Sequence, residues 1–140
     1  MDGKQFLVTA CLLRREGLDE ADFRSAISRA YYACFITTRD IVLSACRDKI
    51  RIKKAENIGH EKLQQYLKNG SSSAVQQLGS DLASLHGNRV DADYIMYRKI
   101  TVDDAQDAIG NAEVFLKDLS IISNDDIGKA LENYLKIIYP

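Results

Sequence analysis

At 140 residues, with 46% apolar and 28% charged side chains, the chain suits a single domain with a core large enough to need no disulfide or metal staple. A net charge of −1 excludes a protein that coats nucleic acid with a generally basic surface, so any such contact must come from a local patch. No apolar run reaches the roughly 18 residues of a membrane span, and the opening MDGKQFLVTACLLRREG is interrupted too early for a signal peptide; a soluble, cytoplasmic protein with no membrane association is expected.

Helical periodicity dominates the chain. Phe6, Ala10 and Leu13 share one face of a first helix that should stop near Gly17. Asp19 or Asp22 is placed to cap a long second helix, on which Phe23, Ile27, Tyr31, Cys34, Thr38, Ile41 and Ala45 recur at spacings of three and four. Ala30, Tyr32 and Phe35 broaden that stripe, which suits a helix at the centre of a bundle. The run 47-RDKIRIKK-54 is either a solvated linker or a patch for an RNA backbone; no aromatic residue interleaves with it.

A short helix from His60 to Leu67 should end at Asn69-Gly70. Ser71 to Ser73 offer caps for a helix carrying Val75, Leu78, Leu82 and Leu85, which runs into 86-HGNRVDADY-94. Thr101 with Asp104 approximates a capping box ahead of Ala105, Ala108, Ala112, Phe115 and Leu119. Asn124 opens a last helix whose Ile127, Leu131, Tyr134 and Ile138 either close the bundle or recruit a partner. The only proline is Pro140, so nothing breaks these helices. The expected fold is an all-α, up-and-down bundle of five or six helices, with residues 1–122 as the bundle and 123–140 as an additional helix packed on the same domain.

Several chemistries lack their residues. His60 and His86 are the only histidines and neither has a partner at metal-ligand spacing, so no metal and no cofactor are expected. No glycine-rich phosphate loop follows a strand, and Cys11, Cys34 and Cys46 form no CxxC, which suits reduced, buried thiols. What stands out is His86, Arg89 and Asp93, which share one helical face. Arg89–Asp93 is either a helix-end ion pair worth a few tenths of a kcal/mol or a phosphate-binding guanidinium steered by an acid. Arg29 lies within the apolar second helix; it either reaches an edge or pairs with an acid, or adds a second cation beside Arg89.

Together, 25-SAISRAYYACF-35 and LHGNRVDADY followed by ITVDDAQDAIGNAEVFLKDL resemble the HEPN superfamily, most closely its small stand-alone prokaryotic members. The carrying residues are Ser28, Arg29, Ala30, Tyr31, Tyr32 and Ala33, then Arg89, Ala92, Asp93 and Tyr94, then Ala105 through Leu119, within residues 5–120. The resemblance implies a helical bundle, commonly a homodimer with its cleft at the interface. It also implies a place in toxin–antitoxin, phage-defence or RNA-processing systems, often beside a minimal nucleotidyltransferase partner. Catalytic members are metal-independent ribonucleases with an arginine and a histidine four to six residues further on, and some toxins add a tyrosine two residues after that histidine. This chain departs there: Tyr94, Ile95 and Met96 occupy the histidine positions, Met96 also stands where the extra tyrosine would be, and His86 precedes the arginine.

Three functions follow as expectations. One is a module that binds nucleotide or RNA phosphate through Arg89 and Arg29, with Asp93 orienting Arg89 and Tyr94 lining the cleft, and that works with a partner protein. A second is a ribonuclease with a divergent site built on Arg89 with His86 or Tyr94; Tyr94, with a free pKa near 10, is a poor base at neutral pH. A third is a non-catalytic dimerisation or adaptor domain.

Overall fold

The computed structural model describes residues 1–47 and 58–140. Apart from Arg47, the basic run at 47–54 lies outside the described residues. Six α-helices and no strand occur among the described residues, as the all-α expectation requires.

Local signals set the helix ends. Helix α1 (Gln5–Glu16) stops at Gly17, which is extended. Both aspartates that follow are used: Asp19 accepts the N–H of Asp22 to cap α2 (Glu20–Ala45), and Asp22 reaches back to the N–H of Leu18. At about 39 Å, α2 is the longest element, and it packs against α1, α4, α5 and α6. Helix α3 (His60–Lys68) ends at Asn69, and Ser72 caps α4 (Ser73–Tyr94). A complete capping box of Thr101 and Asp104 opens α5 (Val102–Ile121), and Ser123 caps α6 (Asn124–Ile138).

The main core gathers Tyr31, Phe35, Leu67, Leu82, Phe115 and Leu131 from five helices. Ile127, Ala130, Leu131 and Leu135 of α6 belong to that core, with Tyr134 and Ile138 packed against it. A smaller cluster of Ala26, Ile27, Ala92, Ile100, Ala105 and Ala108 lets α2, α4 and α5 approach closely on small side chains. Helices α3 and α4 also meet closely. A Cβ on Gly79 would stand 2.8 Å from the backbone nitrogen of Lys68 and 3.0 Å from Leu67 Cβ. Backbone cannot yield as a flexible side-chain tip does, so Gly79→Ala is expected to cost about 1–3 kcal/mol, as overpacking does. It should appear in urea unfolding as a lower midpoint with an unchanged slope.

The arginine that α2 buries is Arg24, while Arg29 is exposed. Arg24 Nη1 donates to the carbonyls of Asp91, Ala92 and Ile95 at 3.3, 2.9 and 3.1 Å. Its Nη2 donates to the carbonyl of Arg98 and to Glu20 Oε1, the latter at 3.1 Å. Glu20 Oε1 also takes the N–H of Ile100 at 2.6 Å. One guanidinium thus satisfies the end of α4 and fixes the connection to α5. The Ile100 N–H, and then the Arg24 guanidinium, hold the Glu20 carboxyl below its ordinary pKa of 4.5.

Candidate functional site

Helix α4 projects His86, Arg89 and Asp93 from one face towards α2, which answers with Ser28, Tyr31, Tyr32 and Phe35 at matching three- and four-residue spacing. Helix α3 supplies a third wall through its first residue, His60, and through Gln64. These three helices bring together side chains far apart in the chain.

Arg89 is the cation of the cluster. Its side chain is only 13% exposed and its Nε lies 2.8 Å from Asp93 Oδ2. The Nε–H is not aligned for a hydrogen bond to that oxygen, so the contact is an ion pair. Ser28 donates its hydroxyl to the same oxygen at 3.3 Å and so helps hold Asp93 in place. The guanidinium sits between two rings, with Cζ 5.1 Å from the centroid of Tyr32 and 5.7 Å from that of Tyr94. Tyr94 is 67% exposed. Neither terminal nitrogen of Arg89 meets an acceptor among the described residues. The arrangement fixes the guanidinium plane and leaves its fork available.

Beside it stand both histidines. Their rings stack in near-parallel planes, 9° apart, with centroids 5.0 Å apart. His86 also lies against Tyr31, and His60 against Phe35 at 4.3 Å. Each Nδ1 is engaged inside the protein: His60 with the Tyr31 hydroxyl at 2.6 Å, His86 with Gln64 Nε2 at 3.1 Å. Burial pushes the Tyr31 phenol well above the ordinary tyrosine value of 10, so it keeps its proton; with that hydroxyl as donor, His60 Nδ1 is an acceptor. With Gln64 Nε2 as donor, His86 Nδ1 is likewise an acceptor. In their neutral forms both imidazoles therefore carry the proton on Nε2, which meets no partner among the described residues.

Both histidines are held below the ordinary imidazole value of 6.5. For His60 the causes are burial, then His86, then Arg89; for His86 they are burial and then Arg89, opposed by Glu61. Between the lowered folded value and 6.5 the unfolded chain binds more protons, so these groups leave stability untouched above that window and reduce it as pH falls through it. A proton titration of the imidazole C–H resonances is expected to place both midpoints below 6.5. A saturating phosphate ligand should move them up, because an adjacent anion favours the imidazolium.

Chemically, the cluster offers a permanent cation, two Nε2–H donors and aromatic faces on either side of the cation. This suits an anion attached to a planar ring. General-base chemistry at Nε2 would need a lone pair there, which the inward-accepting tautomers do not present. No group of three or more metal-ligating side chains is found among the described residues. Cys34 and Cys46 are buried and Cys11 is partly buried, and none of them forms a disulfide; burial raises the Cys34 pKa to about 12.

The sequence-predicted residues His86, Arg89, Asp93 and Tyr94 meet here. Arg29 stands apart: its guanidinium lies over Phe6 at 5.5 Å, and Phe6 in turn neighbours Tyr32. Sequence reasoning missed His60, Tyr31 and Gln64 as site residues. One signal for two of them was available. His60, Leu63, Gln64 and Leu67 share a single face of α3, so a histidine heads its buried stripe. No family model, no curated protein and no solved structure matches the chain.

Proposed function

We propose that the chain is a HEPN-like module that binds the phosphate of a nucleotide or RNA strand at the Arg89 cluster. In this reading it acts as a homodimer beside a partner protein such as a minimal nucleotidyltransferase, in toxin–antitoxin, phage defence or RNA processing. The observation that carries the reading is the Arg89 guanidinium held between Tyr32 and Tyr94 with its terminal nitrogens uncommitted. A fork of N–H donors matches phosphate oxygens, and an exposed tyrosine beside it gives the attached base a face to stack on. The two Nε2–H groups add donors that cost little reorganisation, since both rings are already fixed by their Nδ1 contacts. The all-helical fold agrees with the family that the two motifs resemble.

The test is anisotropy of a labelled single-stranded RNA, with ATP and inorganic phosphate as competitors, in EDTA. Saturable binding that weakens with salt and tightens as pH falls from 7.5 to 5.5 is expected. Absence of saturable binding to both RNA and ATP would sink the reading and leave the adaptor role.

A second reading, a metal-independent ribonuclease, has one observation in its favour: a histidine pair stacked 5.0 Å apart beside an arginine. The 2′-OH would lose its proton to water as its oxygen attacks phosphorus, an imidazolium would protonate the departing 5′-oxygen, and Arg89 would stabilise the phosphorane. This reading predicts 2′,3′-cyclic phosphate ends in EDTA, and loss of those ends in His86→Ala and His60→Ala. Intact RNA with wild-type protein argues for binding alone.

A further inference from the structure

On the side of α4 turned away from the histidines, three cavities of about 240 to 280 Å³ follow one another between α4 and α5, and a fourth of about 400 Å³ lies where both meet α6. They share walls: Asn88 and Asn111 join the first two, Asp81 links the next, and Ala74, Ile121 and Ile122 lead into the last. The cavities thus form one furrow along both helices.

The wall positions have a regular spacing. On α4 they are 74, 77, 78, 81, 84, 85, 88 and 91. On α5 they are 104, 107, 108, 111, 114, 115, 118 and 121. Both series recur at three- and four-residue spacing, so each helix turns one continuous face to the furrow. From 74 to 91 the furrow is about 26 Å long, which a helix of about 18 residues fills.

Its lining is acidic along its length and apolar at one end. At one end Leu78 and Phe115 form a buried floor, and Val114 and Ile121 stand 60% and 74% exposed on the wall. At the other end Asp91, Asp104 and Asp107 line the furrow with Arg98, which pairs with Asp91 at 2.9 Å. Over the whole furrow, Asp81, Asp91, Asp104, Asp107, Asp118 and Asp126 face only Arg98 and Lys129.

We propose that this furrow docks an amphipathic helix of a partner protein, with apolar side chains towards Ile121 and lysines or arginines towards Asp107. The charge excludes a second copy as the preferred occupant, because an isologous contact would set two acidic walls against each other. A basic helix gains from the same field and buries Val114 and Ile121, which stay exposed among the described residues.

The experiment uses the whole chain, labelled with nitrogen-15, and an end-capped 18-residue peptide. Leucines occupy the heptad stripe of one half of the peptide and lysines the same stripe of the other; a scrambled peptide of identical composition is the control. The expected result is chemical-shift changes centred on Ser84, Asn88, Asn111 and Val114, with the scramble at least tenfold weaker. Asp107 and Asp118 make no ion pair with another described side chain, so Asp107→Lys/Asp118→Lys leaves the fold in place and should weaken the peptide at least tenfold, with Asp107→Asn intermediate. Equal effects of peptide and scramble, or shifts centred on the Arg89 face, would overturn the proposal. So would a dimer in sedimentation that Val114→Arg/Ile121→Arg dissociates, since the face would then be a self-interface. A ligand-free Arg89 cluster would leave this result unaffected, because the furrow lies on the other side of α4.

Discussion

Arg89→Ala should weaken binding of single-stranded RNA or ATP by about ten- to a hundredfold while leaving the bundle folded. The figure follows from the loss of a charge-assisted contact, about 1.5–3 kcal/mol. The geometry places the loss in the ligand rather than in the fold. Arg89 contributes one ion pair and two ring contacts, and Asp93 keeps the Ser28 hydroxyl when the guanidinium goes. Arg89→Lys should recover only part of the affinity, since a lysine keeps the charge but loses both the fork and the plane that fits between Tyr32 and Tyr94. The salt dependence distinguishes this from general charge loss: removing one phosphate contact lowers the slope of log affinity against log salt by about one. Unchanged RNA and ATP affinity in Arg89→Ala, with an unchanged melt, would dismiss the cluster as a binding site.

Arg24→Ala should produce the largest fall in stability of any single change outside the apolar core. The carbonyls of Ala92, Ile95 and Arg98 rely on one guanidinium, which also reaches the Asp91 carbonyl beside the Ile95 N–H, and Glu20 is its ion-pair partner. Leaving main-chain carbonyls without their charged donor costs about 2–4 kcal/mol, which for a chain of this size lowers the melting temperature by on the order of 10 °C. Arg24→Lys should rescue only part, because a single ammonium cannot serve both the α4 carbonyls and the Arg98 carbonyl at once. A pH signature belongs to the same clamp. Since the Glu20 carboxyl is lowered, its contribution is complete above the ordinary glutamate value and disappears as pH falls through the lowered one. Wild-type protein should therefore lose stability on acidification below about pH 4.5, and Glu20→Gln should lose less over the same range. A melting temperature for Arg24→Ala within 2 °C of wild type would contradict this account.

The helices were legible because their signals are local. Gly17, Asp19, Asn69, Ser72 and the Thr101–Asp104 box act within a few residues of where they stand, and each marks a real boundary. The Arg89–Asp93 pair was legible for the same reason, being one turn apart on one helix. What sequence could not supply was assembly across helices. Tyr31 and His60 meet over 29 positions, and Ser28 and Asp93 over 65. Arg24 was missed for a different reason: most of its partners are main-chain oxygens, which leave no mark on residue identity. Arg29 was singled out because the helix around it is apolar. The buried positions of α2 run through 24, 27, 28, 31, 34, 35 and 38, and residue 29 falls outside them.

The clamp at Arg24 has a further meaning for how this molecule can change. Because Arg24 grips the 95–98 stretch by peptide oxygens, and the Arg98 side chain adds an ion pair to Asp91, the path of that stretch is set without positions 96 and 97. Met96 and Tyr97 are exposed, Tyr97 at 93%, and neither is needed to hold the turn. Backbone shape and side-chain display are thus uncoupled just beyond the end of the helix that carries Arg89. Drift at positions 96 and 97 can retune what the protein shows beside its cation without re-solving the folding problem, and the same two positions would accept a fluorophore or a cross-linker with the scaffold undisturbed.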